Sequence, residues 1–92
     1  MEARYRLWMR IFGGLDGVMR VVNILRRGKV RYREMRVKFD GRYASMDVCL
    51  EGVSDEVRWV AAKVERLPEV EEIRVELPSG EREEAEMIAE AR

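Results

Sequence analysis

Residues 30–51 read VRYREMRVKFDGRYASMDVCLE, and the dipeptide Asp40-Gly41 near their centre decides the architecture. Asp-Gly between two alternating runs is a strong signal for a two-residue hairpin, because the favoured turns need positive φ. Before it, Met35, Val37 and Phe39 share one face of a strand over 30–39. After it, Ala44, Met46, Val48 and Leu50 share one face of a strand over 42–51. Val37 is expected opposite Ala44, and Met35 opposite Met46. Val30 and Tyr32 are out of phase with Met35, which predicts a bulge near Arg33–Glu34.

Outward from the hairpin the pattern changes period on both sides. Upstream, Val18, Val21, Val22 and Leu25 fall at i, i+3, i+4 and i+7, the stripe of an amphipathic helix over 16–27. Asp16 is its expected N-cap, and Arg26 and Arg27 fall in its last turn, beside the negative end of the dipole. Gly28 is its expected stop, with positive φ, so that Val there costs on the order of 1 kcal/mol or more. Gly17 lies in the first turn and is expected to tolerate Val. Before this helix, Tyr5, Leu7, Met9 and Ile11 alternate with Arg4, Arg6, Trp8, Arg10 and Phe12, a strand ended by Gly13-Gly14.

Downstream, Ser54 is the expected cap of a second helix, with Asp55 and Glu56 in its first turn. Its stripe is Val57, Val60, Ala61, Val64 and Leu67, and Pro68 stops it. Ile73, Val75 and Leu77 alternate with Glu72, Arg74 and Glu76 in a last strand. The order is βαββαβ. It predicts an α+β, ferredoxin-like domain over residues 1–78: a four-stranded antiparallel sheet with two helices on one face, every strand turning its apolar side to them. Residues 79–92 form an acidic tail, expected as a frayed helix with Ala85, Ile88 and Ala89 on one side, or as a disordered end. The open sheet face is predicted to carry Arg4, Arg6, Trp8, Arg10, Phe12, Arg36, Lys38, Tyr43, Ser45, Asp47, Cys49 and Arg74.

Composition narrows the chemistry. The chain has 92 residues, 47% of them hydrophobic, which suits one small core. Such a core buries only a modest share of surface, so self-association is expected to add stability. There is no His, which removes Ser-His-Asp triads and His-ligated metal sites. The single Cys49 makes neither an internal disulfide nor a zinc cluster. No catalysis, metal or cofactor is expected. No stretch is long and apolar enough for a membrane span, and the Arg-rich start is unlike a signal peptide, so the cytoplasm is the expected place. Arg is used in strong preference to Lys, and Gln and Thr are absent, as in many heat-adapted proteins; a GC-rich genome gives the same bias. The 18 basic and 18 acidic residues cancel, yet the first 52 residues are net basic and the rest net acidic. Halves of opposite sign favour association between copies, or a basic face toward nucleic acid.

Several segments carry a family resemblance: Val18-Met19-Arg20-Val21-Val22, Arg27-Gly28 after the first helix, and Val64 to Val75, VERLPEVEEIRV. With βαββαβ order and Gly at the first strand–helix junction, the chain resembles the ACT domain. More narrowly, it resembles the single-ACT small regulatory subunits of acetolactate synthase. That resemblance implies a regulatory subunit without catalysis of its own, docking on a larger metabolic enzyme of amino-acid biosynthesis. It implies side-by-side pairing into an eight-stranded sheet, with an effector such as an amino acid held at the pair interface. The implied effector residues are Gly14, Leu15, Asp16, Gly17 and Val18 of the first loop, with Lys29 and Val30 of the neighbour. The family's loop reads Asp/Asn-x-Pro-Gly. If Gly17 takes its Gly, then Asp16 replaces the Pro and Gly14 the Asn/Asp; counting back from Gly28 places it two residues earlier.

Trp8, Phe12 and Tyr43 on the open face are the expected interface residues. The same Trp8 and Tyr43 support a rival reading, a single-stranded nucleic-acid-binding module that stacks bases on two central strands. Ser45, Asp47 and Val48 do not continue that pattern. Gly14-Leu15-Asp16-Gly17-Val18-Met19-Arg20 is similar to the phosphate cradle of acylphosphatases, but that chemistry needs an Asn on a neighbouring strand, and the only Asn, Asn23, falls in the first helix.

Overall fold

A computed structural model describes residues 2–77. The elements are β1 (Glu2–Phe12), α1 (Gly14–Leu25), β2 (Arg31–Asp40), β3 (Tyr43–Val53), α2 (Ser54–Glu65) and β4 (Val70–Glu76). The sheet order is β2-β3-β1-β4, with every neighbouring pair antiparallel. This is the expected ferredoxin-like arrangement. The central strands β1 and β3 bury Leu7, Met9, Ile11, Ala44, Met46, Val48 and Leu50 beneath Val18, Val21 and Leu25 of α1 and Val57, Val60 and Val64 of α2. Residues 78–92, which include the tail expected over 79–92, lie outside the described residues.

The hairpin forms where Asp40-Gly41 marks it, but two residues out of the expected register. Asp40 pairs with Tyr43, so the loop is Gly41-Arg42, and Val37 faces Met46 while Met35 faces Val48. Gly41, at φ 64°, takes the first loop position, which a left-handed backbone makes costly for a side chain. A shift of two preserves the alternation, so every side chain keeps its face. The bulge lies where the phase break puts it, since the register shifts between Tyr32 and Glu34.

Helix α2 ends at Glu65, short of the expected Leu67, and helix boundaries depart from the sequence reading in three further places. First, α1 begins at Gly14, with Gly13 at φ 104° as its cap; Asp16 lies in the first turn, where its charge complements the dipole. Next, α1 ends at Leu25, so Arg26 and Arg27 lie just beyond the helix, and Gly28 has no positive φ. Gly28 is required for a different reason: a Cβ there would sit 2.2 Å from Val60 Cγ2. Finally, Ser54 is the first residue of α2 rather than its cap, which is Val53 in an extended conformation.

Three residues expected beneath the helices are not covered. Met35, Val37 and Phe39 point to the helix side but remain exposed, because β2 is an edge strand that α1 does not roof over. At the other edge Val75 is exposed too, and Leu77 lies beyond the end of β4.

Tyr32 ties α1 to β2 by donating its hydroxyl to the Leu25 carbonyl. Burial pushes its pKa up to about 12. Its folded pKa lies above the unfolded one, so this contribution is complete below the ordinary Tyr range and is lost as pH rises through about 12. Tyr32→Phe should cost about 1 kcal/mol at neutral pH and flatten the alkaline limb of a stability–pH profile. Chemical denaturation against pH measures both.

Candidate functional site

The site is built where β1 hands over to α1. Gly13 and Gly14 both have positive φ, 104° and 60°, so the chain turns into the helix within two residues. Their amides donate to the Arg42 carbonyl at 2.9 and 3.0 Å, pinning the turn to the β2–β3 hairpin. On the opposite side, Phe12 N–H donates to the Glu69 carbonyl at 2.7 Å. The turn is thus clamped between two loops.

Gly17 makes the close approach. A Cβ on it would sit 2.2 Å from the Phe12 carbonyl oxygen and 2.9 Å from Ile11 Cγ2. The first turn of α1 therefore rests directly on the end of β1. Gly17 and Val18 are buried and shape the site from below, while Leu15 and Asp16 stand exposed at its mouth and Gly14 is half-buried. The amides of Gly13, Gly14 and Gly17 are already bonded, which leaves those of Leu15 and Asp16 as the donors of the first turn, at the positive end of the helix dipole.

Two charged residues that the sequence reading did not single out complete the rim. Arg20 Nε lies 3.0 Å from Glu69 Oε2. The other carboxylate oxygen of Glu69 is buried without a hydrogen bond among the described residues. Glu69 comes from the turn before β4, more than forty residues away in sequence, and no local motif joins it to Gly13. Its neighbourhood to the turn arises only from the pairing of β4 with β1. The rim thus combines the Asp16 carboxylate with the Arg20–Glu69 ion pair.

Lys29 and Val30 are not part of this site within one chain. They follow the far end of α1, separated from the Gly turn by a 12-residue helix about 18 Å long. Val30 packs on Gly52, where a Cβ would come within 2.7 Å of Val30 Cγ1, and Lys29 is exposed.

The Arg20–Glu69 pair also shows which side of α1 faces α2 and β4. The opposite flank, with exposed Leu15 and Met19, faces the β2 edge. Met35, Val37 and Phe39 are exposed on the helix side of that edge strand, so both the α1 flank and the β2 edge present apolar side chains to solvent.

The open sheet face has a different character. Trp8, Phe12 and Tyr43 lie on it as expected, but the aromatic rings are already engaged. The Arg74 guanidinium lies 4.7 Å from the Trp8 centroid and that of Arg10 4.2 Å from Tyr43, which also meets Phe12 edge-on at 5.4 Å. The face's arginines pair with carboxylates: Arg4 with Glu51 at 2.8 Å, Arg6 with Asp47 at 3.0 Å, Arg10 with Glu71 at 3.6 Å and Arg74 with Glu72 at 2.9 Å. The hydrogen bond from Arg4 and the charges of Arg33 and Arg31 hold the Glu51 carboxyl below its usual range. A nucleic acid would have to break these pairs and lift a guanidinium from each ring, so the face does not favour it. Cys49 is half-buried on this face. Among the described residues no group of His, Cys, Asp and Glu could hold a metal ion, and no helix is long and apolar enough to cross a membrane.

A four-stranded βαββαβ plait, with a glycine turn resting on its first strand and an apolar edge strand left uncovered, defines a small ferredoxin-like domain. The ACT domain profile matches residues 15–73, and the chain belongs to the ACT domain family, a family of regulatory domains. Solved structures agree on the fold. The ACT domain from GTP pyrophosphokinase of Chlorobium tepidum superposes with a TM-score of 0.75 at 5% identity, covering 82% of this chain and 99% of that one. A homoserine dehydrogenase from Thiobacillus denitrificans gives 0.69 at 18% identity; the match covers 84% of this chain but only 17% of the enzyme. The C-terminal domain of the MgtC protein from Mycobacterium tuberculosis gives 0.64 at 12% identity, covering 82% of this chain and 86% of that domain. No curated protein matches the chain in sequence.

Proposed function

We propose that this protein is a regulatory subunit that pairs side by side through β2 and the α1 flank, and senses a small amino acid at the β1–α1 turn. The observation that carries this reading is an uncovered apolar edge: Met35, Val37 and Phe39 are exposed on the helix side of β2, and Leu15 and Met19 are exposed on α1 just after the Gly13–Gly14 turn. An edge strand with an apolar face is a template for pairing, and a second copy laid against it extends the sheet. In such a pair the neighbour supplies Lys29 and Val30. The effector's ammonium group meets the carboxylates of Asp16 and Glu69, and its carboxylate meets helix amides and the partner's lysine. The wider role is that of a small subunit docking on a larger biosynthetic enzyme of the acetolactate synthase type, in the cytoplasm. The family resemblance of the Val64–Val75 segment supports that assignment.

Sedimentation should give at least twice the chain mass of 10.8 kDa. Phe39→Lys should weaken self-association tenfold or more, because burying a Phe side chain contributes about 1.5–3 kcal/mol. An unchanged sedimentation profile would rule out this edge as the pairing surface. For the effector, calorimetric titration with individual amino acids should show binding to the wild type that Asp16→Lys abolishes. Failure of every amino acid to bind, with pairing intact, would leave a scaffold subunit and remove the sensing role.

A further inference from the structure

Two copies joined edge to edge through β2 can meet in several registers, and the charges of the strand choose among them. The Phe12 amide donates to Glu69, away from β3, so Tyr43 bonds toward β2, and Asp40, Lys38 and Arg36 bond inward to β3. Met35, Val37 and Phe39 therefore turn their N–H and C=O groups to the free edge. A two-fold axis perpendicular to the sheet keeps every side chain on its own face, so a residue meets only partners of that face. On the open face β2 carries Arg31, Glu34, Arg36, Lys38 and Asp40, all exposed. With the bulge at Arg33 counted as one position, their signs reverse about Arg36.

Opposite charges facing each other across strands stabilise a pair, and like charges destabilise it. Centred on Arg36, an antiparallel pair sets Glu34 against Lys38 and Arg31 against Asp40 on both sides of the axis. Only the two Arg36 side chains on the axis are of like sign, and each holds its own Glu34 at 2.5 Å. Within the chain Arg36 also stands opposite Asp47, which lies 3.0 Å from Arg6, and Arg31 pairs with Glu2 and Glu51. Among the described residues Lys38 and Asp40 have no ion pair. On the helix side the same register sets Met35 against Val37 and Phe39 against Tyr32. Centred on Val37, the pair would instead set Arg36 against Lys38 and Glu34 against Asp40, like against like throughout. Centred on Met35, it would set Lys38 against Arg31. Centred on Lys38, the ladder would shrink to residues 36–40 and leave Met35 facing Gly41.

We infer that a second copy of the chain pairs antiparallel with β2 in the register whose two-fold axis passes at Arg36. The inference rests on the pairing through β2 proposed for this protein and adds its register. The same register sets Lys29 of one copy level with Arg42 of the other, whose carbonyl receives the Gly13 and Gly14 amides.

The test uses the full chain in a Cys49→Ser background, with Arg36→Cys, Val37→Cys or Lys38→Cys added one at a time. After oxidation with copper phenanthroline, Arg36→Cys should give a disulfide-linked dimer on a non-reducing gel. Only at the axis do equivalent Cα atoms approach to about 4.5 Å; at Val37 and Lys38 they stand about 7 Å or more apart, too far for a disulfide. Sedimentation of Lys38→Glu should show self-association weakened about fivefold, because its new charge faces Glu34 twice per pair. In the Val37-centred and Met35-centred registers the same change faces an arginine and strengthens association. Adding Glu34→Lys to Lys38→Glu should restore it. Circular dichroism on each variant confirms the fold. Faster cross-linking at Val37→Cys or Lys38→Cys, or association unchanged or strengthened by Lys38→Glu, overturns the register and leaves pairing through β2 standing. A chain that sediments as a monomer, or a dimer that none of the three cysteines cross-links, overturns that pairing and the register with it.

Discussion

Gly17→Val should leave the chain largely unfolded. The substituted Cβ would approach the Phe12 carbonyl oxygen to 2.2 Å, and that oxygen belongs to backbone clamped on both sides, by the Phe12 amide on Glu69 and by the Gly13 amide on Arg42. No side-chain rotation relieves such a contact, so α1 would have to lift off β1. Overpacking of this kind costs about 3 kcal/mol or more. A domain this small has a total stability near the low end of the usual range of about 5–15 kcal/mol. Gly17→Ala already introduces the offending Cβ and should cost much of the same. Gly14→Ala is the control: a Cβ there meets nothing within 4 Å, so only the strain of its positive φ remains. Thermal melts showing Gly17→Val as stable as Gly14→Ala would contradict the close approach.

The second large effect belongs to the core of β1. Leu7 is fully buried and pairs with Val48 on one side and Val75 on the other. Leu7→Ala should cost about 2–5 kcal/mol, the lost transfer energy plus a cavity in a sheet that cannot collapse around it. Its neighbour Arg6 points the opposite way, to an exposed pair with Asp47 at 3.0 Å. Arg6→Ala should therefore change stability by less than about 1 kcal/mol. Urea titrations of the two variants, compared at equal slope, separate the faces. Similar losses would mean that β1 does not alternate as described.

The difference between these two predictions measures what could be read beforehand. Leu7 was legible as core because alternation is local: a strand with one apolar side has one way to face a helix layer. The same reasoning found the faces of all four strands, the stripes of both helices and the bulge at Arg33. Gly17 was misread as a tolerant first-turn residue, and Gly28 as a positive-φ stop. Gly28 is glycine because Val60, distant in sequence, lies against it, and Gly17 because the chain turns so tightly that the first turn of α1 rests on Phe12, five residues earlier. Sequence spacing carries no record of such distances. The loop residues of the candidate site could be named from their turn chemistry, but Glu69 and Arg20 could not, since their meeting depends on β4 lying beside β1.

What the sequence determined by itself is the list of elements, their order and which side of each is apolar, because those follow from periods of two and 3.6 residues. From the order alone, right-handed crossovers leave few topologies, and the observed one is among them. Tertiary structure decided how far the helices reach across the sheet. Met35, Val37 and Phe39 alternate like core residues, yet two helices cover mainly the central pair of strands, and β2 at the edge is left uncovered. Periodicity states that a face is apolar; only the packed layers state whether it is already occupied. The uncovered β2 edge and the Gly28–Val60 contact depend on surfaces meeting across long stretches of chain, where local pattern has no reach; the Gly17–Phe12 contact and the hairpin slip are short-range, and rest on backbone geometry that apolar spacing does not record.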